Sequence, residues 1–161
     1  MKIYSLLMFV ICILTIVRCK DDDDLNPDTD YLIFGHFYGE CVGEGCIEIF
    51  KLNGHDLFED KNDRYPNFDD FYKGSYKRLP KKKFESVNGL IESFPQKLLN
   101  EEKNVIGSPD AGDWGGYYVE YNFNDIRKFW CIDKAKGNIS SEYYDFLDKL
   151  EENIRQLNCG K

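Results

Sequence analysis

His36, Cys41 and Cys46 fall within one short segment, separated by glycines. An imidazole and two thiolates are soft donors of the kind zinc and copper accept. Their spacing matches no standard zinc pattern, and a fourth ligand would have to be His55 or a distant acid. The same residues in another role would make Cys41 a nucleophile with His36 as its base. A reactive thiol needs an activating setting, however, and a neighbouring Cys46 in an oxidising compartment favours a bridge. The sequence therefore assigns no metal site and no catalytic residue.

Oxygen chemistry is equally thin. Asp110 with Asp113, or Asp60 with Asn62 and Asp63, have the ligand type calcium prefers. Neither run carries an EF-hand pattern with its closing Glu, and turn chemistry accounts for Asp, Asn and Gly in such places. With 29 acidic residues, no carboxylate pair stands out for hydrolysis, Glu48 with Glu120 included. Phosphate-binding glycine loops, nucleophile elbows and zinc-protease motifs are all missing, so no cofactor is expected.

Trp114 is the remaining residue of interest. It sits in the glycine-rich run Asn104 to Gly116, just before Tyr117 and Tyr118. Together with Phe68, Phe71 and Tyr72 these rings could form a contact patch for a protein or a glycan. The competing reading has Trp114 plugging the end of the core.

The chain has six cysteines. Cys12 lies in an apolar N-terminal run and Cys19 ends it, which leaves Cys41, Cys46, Cys131 and Cys159. Four thiols in an exported chain point to two disulfides with three possible connectivities. The preferred pairing joins Cys41 to Cys46 across a short loop and Cys131 to Cys159 between a strand and the last helix. Free buried thiols are the alternative.

The apolar run explains why export is expected. Met1-Lys2 precede about 15 apolar residues, Ile3 to Val17. That suits a signal peptide and falls below the ~20 residues of a spanning helix. Arg18 and Cys19 follow, then Lys20 and the acidic run Asp21, Asp22, Asp23 and Asp24. Acyl chains on a new N-terminal cysteine hold a soluble domain to a bilayer. The segment Cys19-Lys20-Asp21-Asp22 resembles the surface-export signal of Bacteroidetes-type lipoproteins. The resemblance implies residues 1–18 as signal peptide, residues 19–30 as lipidated cysteine and acidic linker, and display on the outer face of the outer membrane. Arg18 departs from the small residue usual before an acylated cysteine, which leaves cleavage elsewhere or an uncleaved anchor as alternatives.

Charge narrows the partners. Lys2 and Arg18 are two of the 21 basic side chains, so the mature chain carries 19 against 29 acidic ones, a net charge near −10. Nucleic acid demands a basic footprint and is excluded as a partner. About 130 residues remain after the linker, enough for one domain, residues 31–161, with its own core.

The elements that must position these side chains follow from periodicity. Tyr31 to Tyr38 reads as a strand. Ile47 to Leu52 and His55 to Asp60 flank Asn53-Gly54 as a hairpin. A two-residue turn there would set Lys51 opposite Asp56, Phe50 opposite Leu57, Ile49 opposite Phe58, and Glu48 opposite Glu59. Apolar pairs on both faces mark an inner strand. Asp60 to Gly74 reads as a surface loop, with a short strand near Ser75 to Leu79. Phe84, Val87, Leu90, Ile91 and Phe94 make a helical stripe after Pro80, ended or kinked at Pro95. Tyr117 to Phe123 and Ile126 to Ile132 form a hairpin around Asn124-Asp125, with Tyr117, Val119, Tyr121, Phe123, Ile126, Trp130 and Ile132 on one face. Ser141 to Asn158 is a second amphipathic helix, capped by Ser140 or Ser141.

This order predicts an α+β fold: a mostly antiparallel sheet of five or six strands with two amphipathic helices on one face and the other face more solvated. The segments Phe34 to Cys41, Gly45 to Ile49, Gly115 to Tyr121 and Arg127 to Trp130 resemble small lipoproteins of unknown function from the same bacteria. They also resemble, loosely, a domain of unknown function with a Cys-Gly-x-Cys loop opening onto a strand. The resemblance implies no activity. The expectation is a membrane-anchored, non-enzymatic binding or shielding module, held to the bilayer through acylated Cys19, with an envelope hydrolase or a metal-binding lipoprotein as alternatives.

Overall fold

A computed structural model describes residues 30–159. The fold is α+β, a seven-stranded sheet with two helices. In chain order the strands are β1 (Tyr31–Phe37), β2 (Ile47–Asn53), β3 (Leu57–Asp60), β4 (Tyr76–Arg78), β5 (Val105–Ile106), β6 (Gly116–Phe123) and β7 (Ile126–Asp133). The helices are α1 (Lys81–Val87) and α2 (Tyr144–Asn158). Spatially the order is β4-β3-β2-β1-β6-β7-β5. Every neighbouring pair is antiparallel except β5 with β7. The loop before Gly116 thus supplies a short edge strand that periodicity did not reveal, because two residues are too few to alternate.

The β6–β7 hairpin has the expected register, with Val119 opposite Trp130 and Phe123 opposite Ile126. Asn124 (φ 52°) and Asp125 (φ 64°) both take the left-handed conformation a two-residue hairpin turn requires. The β2–β3 hairpin is shifted two positions from expectation: Lys51 faces Phe58, and Phe50 faces Glu59. Asn53 causes the shift. Its Oδ1 accepts the backbone N–H groups of His55 (3.0 Å) and Asp56 (2.7 Å), so Asn53 opens the turn instead of sitting inside it. A two-position slip preserves alternation, so every side chain keeps its face. It also separates Glu48 from Glu59.

The central strand β1 is buried along its whole length. Gly35 is required at its middle, because a Cβ there would stand 2.0 Å from the Glu48 carbonyl oxygen on β2. Even-numbered β1 residues Leu32 and Phe34 face the helices. Phe50, Leu52, Val119, Trp130 and Ile132 join them and meet Leu90, Phe94, Phe146, Leu147, Leu150 and Ile154. The α2 stripe is the expected one, and Ser140 caps the 3-10 turn Ser141–Tyr143 that leads into it by accepting the Glu142 N–H. The first helical stripe breaks after Val87 into 3-10 turns at Asn88–Ser93 and Gln96–Asn100, on either side of Pro95.

The opposite face is not solvated, contrary to expectation. The segment between β3 and β4 folds back across it. Tyr72, Phe68 and Phe71 cover Tyr31, Ile33, Ile49, Tyr118, Phe129 and Cys131 as a second core. Buried Asp60 holds this segment. Its carboxylate accepts the Tyr72 hydroxyl (2.7 Å) and the backbone N–H groups of Asn62, Asp63 and Ser75. The aromatic and acidic residues that read as a surface loop are thus a lid and its staple.

Candidate binding face at the loop end of the sheet

β1 gives the domain a direction. At its start, Asp30 accepts the N–H of Asn124 in the β6–β7 turn (3.2 Å). At its finish, Phe37 pairs with Gly116, so the β1–β2 loop and the loop before β6 emerge together. Asp110 ties this end together. Its Oδ2 accepts the Gly39 N–H (2.8 Å) and the Tyr65 hydroxyl (2.8 Å), and its Oδ1 accepts the Gly115 N–H (3.0 Å). One carboxylate therefore staples three loops. Three of the exposed large apolar side chains sit on those loops: Val42, Tyr65 and Trp114, the last 73% exposed.

The Trp114 loop owes its shape to backbone that ordinary residues avoid. Asp110 (φ 62°) and Asp113 (φ 63°) are left-handed, and so are Gly112 and Gly115. Non-glycine residues in this region cost free energy and gather at functional sites. A Cβ on Gly112 would lie 3.4 Å from Trp114 Cδ1, so the indole rests against this glycine. Beside it opens a cleft of about 320 Å³, lined by Ser108, Ala111, Trp114, Asp133, Ala135 and Asn138. Asp133 frames the cleft by accepting the Ser108 N–H (2.9 Å), the Ala135 N–H (2.7 Å) and Asn138 Nδ2 (2.7 Å). Burial pushes its carboxyl up, but these donors outweigh burial and hold it below the usual carboxylate range.

A second cleft, about 340 Å³, lies on the helix side of the same end, between His36 and the last turns of α2. His36 is buried and donates Nε2–H to the Gly45 carbonyl (3.2 Å). Its Nδ1 is buried without a partner among the described residues. Burial, and then the charge of Lys134, lower its pKa. Lys134 donates to the Tyr38 hydroxyl (2.6 Å) and to Glu151 (2.9 Å), tying the end of β7 to α2. His36 is a core histidine at the base of the disulfide loop.

Of the cysteine pairs, Cys41–Cys46 is a disulfide across the exposed loop. This removes both sulfurs as metal ligands and Cys41 as a nucleophile. The Cys131–Cys159 pairing is not formed, and both thiols are free. Alternation along β7 explains this. Trp130 and Ile132 face the helices, so Cys131 faces the other core, while Cys159 ends α2 on the helix side.

The expected aromatic patch is also divided. Tyr117 and Tyr118 are buried on opposite faces of β6, and only Trp114 of the three is exposed. Phe68, Phe71 and Tyr72 belong to the lid. Glu48 and Glu120 likewise project to opposite faces. Glu120 is fully buried and accepts the hydroxyls of Tyr31 (3.0 Å) and Tyr118 (2.8 Å) and two bonds from Arg127 (3.0 and 2.8 Å). Of the acids considered as calcium ligands, Asp60 and Asp110 are loop staples, and Asp63 and Asp113 take left-handed backbone in the turns that follow them. Among the described residues no group of three or more His, Cys, Asp or Glu side chains is placed to hold a metal ion. Cys19, Lys20 and Asp21 to Asp24 lie outside the described residues.

Val42 and Tyr65 were not singled out by their sequence context. Their only signal is an apolar or aromatic residue within a glycine- and proline-rich stretch, and nothing local tells such a residue from core. No family model matches the chain, and no curated protein matches it.

Proposed function

We propose that this chain is a lipid-anchored protein of the cell envelope, displayed outward, whose domain is a non-enzymatic binding module that meets its partner through the loop end of the sheet. The proposed anchor is acylated Cys19, with the acidic run Asp21 to Asp24 as the export signal of a Bacteroidetes-type surface lipoprotein. The observation that supports this reading is the direction of β1. The linker enters the domain beside the β6–β7 turn at Asp30, and Val42, Tyr65 and Trp114 lie at the far end of that strand. Seven strand residues separate the two ends by roughly 23 Å. A tether at one end and exposed apolar side chains on loops at the other is the geometry of a module presented to something beyond the membrane.

Protease shaving of intact cells tests the display. Wild type should be shaved from intact cells. Changing Asp21 to Asp24 to Ala should protect it, and Cys19→Ala should release it from the membrane fraction. Wild type that is cut only after lysis would overturn outward display.

A further inference from the structure

Resting on the reading of the loop end as a contact face, we infer that the cleft beside Trp114 is a carbohydrate subsite, which takes a neutral pyranose ring stacked on the indole. Three properties of the cleft favour a sugar over other ligands. First, among the described residues its lining carries no basic side chain to pair with a phosphate, a sulfate or a carboxylate. Second, apart from Trp114 the only apolar side chains lining it among the described residues are Ala111 and Ala135, too little to hold a greasy ligand. Third, its polar groups suit hydroxyls. Asp133 is buried behind the cleft, where it accepts from Ser108, Ala135 and Asn138 and so holds the exposed Ser108 and Asn138 in place. Asn138 spends an N–H on Asp133 and keeps its carbonyl oxygen as an acceptor, and Ser108 adds a hydroxyl that can donate or accept.

A pyranose combines a flat C–H face with a rim of hydroxyls. The indole and the polar wall offer those two complements side by side. At about 320 Å³ the cleft falls at the small end of ligand sites, suited to one or two rings. The loop is also prepared in advance. Asp110 closes the loop on Gly115 and ties it to Gly39 after β1, and Gly112 supports the indole, which lowers the ordering cost on binding.

The chain has two tryptophans, and Trp130 is buried, so collisional quenching by acrylamide reports on Trp114. The full-length chain in detergent micelles is titrated with millimolar neutral oligosaccharides of glucose, mannose, galactose and N-acetylglucosamine. At least one should protect Trp114 from quenching, and titration calorimetry should give a dissociation constant for it. Trp114→Ala should weaken that affinity by about tenfold or more, and Trp114→Phe by less, since a smaller ring still stacks. Asn138→Ala should weaken it about threefold with the fold intact. Protection by no member of the panel, or equal affinity in Trp114→Ala, would overturn the assignment. The readout uses purified protein, so its failure leaves the shaving result on cells standing, and loss of display on cells leaves saccharide binding measurable.

Discussion

Tyr65 and Asp110 lie far apart in the chain and meet through a 2.8 Å hydrogen bond from the tyrosine hydroxyl to Oδ2. The same oxygen holds Gly39, so the lid segment, the disulfide loop and the Trp114 loop share one acceptor. Burial, and then the Asp110 carboxylate, push the Tyr65 hydroxyl well above its ordinary pKa, so it remains a donor at any physiological pH. Asp110→Ala removes all three bonds and should cost about 1–3 kcal/mol in urea denaturation. Tyr65→Phe removes one and should cost about 0.5–1.5 kcal/mol. Acrylamide should quench Trp114 more readily in Asp110→Ala, because the loop loses its flank. Unchanged quenching would mean that the backbone holds the loop without the staple.

Glu120 is the most committed charge in the fold. It is fully buried under the lid, and Arg127, its ion-pair partner, stacks 3.9 Å over the Phe71 ring. Burial, and then Glu120 itself, raise the Tyr31 hydroxyl to about 12, so it donates and does not ionise. Tyr118 bridges this network to the lid, because its hydroxyl accepts the Tyr72 N–H (2.9 Å). Glu120→Ala would leave the Tyr31 and Tyr118 hydroxyls without their acceptor while Arg127, 45% exposed, turns to water, and should cost about 1–3 kcal/mol in urea denaturation. A loss below about 1 kcal/mol would show that water replaces the carboxylate freely.

The α2 stripe and the β6–β7 register were legible because one face of each is apolar and the other is not. Long-range tertiary effects were not. The lid reads as a polar loop because its aromatic residues do not alternate; Asp60 organises it through bonds to residues up to 15 positions away. Cys131 and Cys159 read as partners by number alone, until alternation along β7 put them on opposite sides of the sheet. For the candidate site, Trp114 was visible as a residue out of place, but the staple that makes it a face was disguised as a pair of turn acids.

The β2–β3 turn shows how one side chain overrides a dipeptide signal. Asn53→Ala removes the acceptor for the His55 and Asp56 N–H groups and should cost about 1 kcal/mol, whereas Asn53→Asp, which keeps that acceptor, should be close to neutral. Parallel urea denaturation curves separate the two. Equal losses would assign the register to strand packing alone.

The free thiols make a chemical prediction. Cys131 is fully buried and its pKa is raised by burial to about 12, so it should resist alkylation in the native state. Cys159 is exposed and should react at once. Peptide mapping after iodoacetamide should find Cys159 modified, Cys131 modified only after unfolding, and Cys41 modified only after reduction. A disulfide-linked peptide containing Cys131 and Cys159 would contradict the strand alternation described above.

His36 sets a pH dependence whose sign is fixed by its surroundings. Burial first, and Lys134 second, hold its pKa below the ordinary 6.5, while Glu151 and the Gly45 carbonyl act weakly the other way. The folded protein therefore prefers the neutral ring, and the unfolded chain takes up the proton first as pH falls. The stabilisation is fully present above 6.5 and is lost as pH falls through the folded value. The urea midpoint should accordingly drop as pH falls from about 7 towards 5, a window in which most carboxylates stay ionised. His36→Gln removes the titration and should flatten that slope while lowering the midpoint at pH 7. A slope that survives His36→Gln would place the proton uptake on another group.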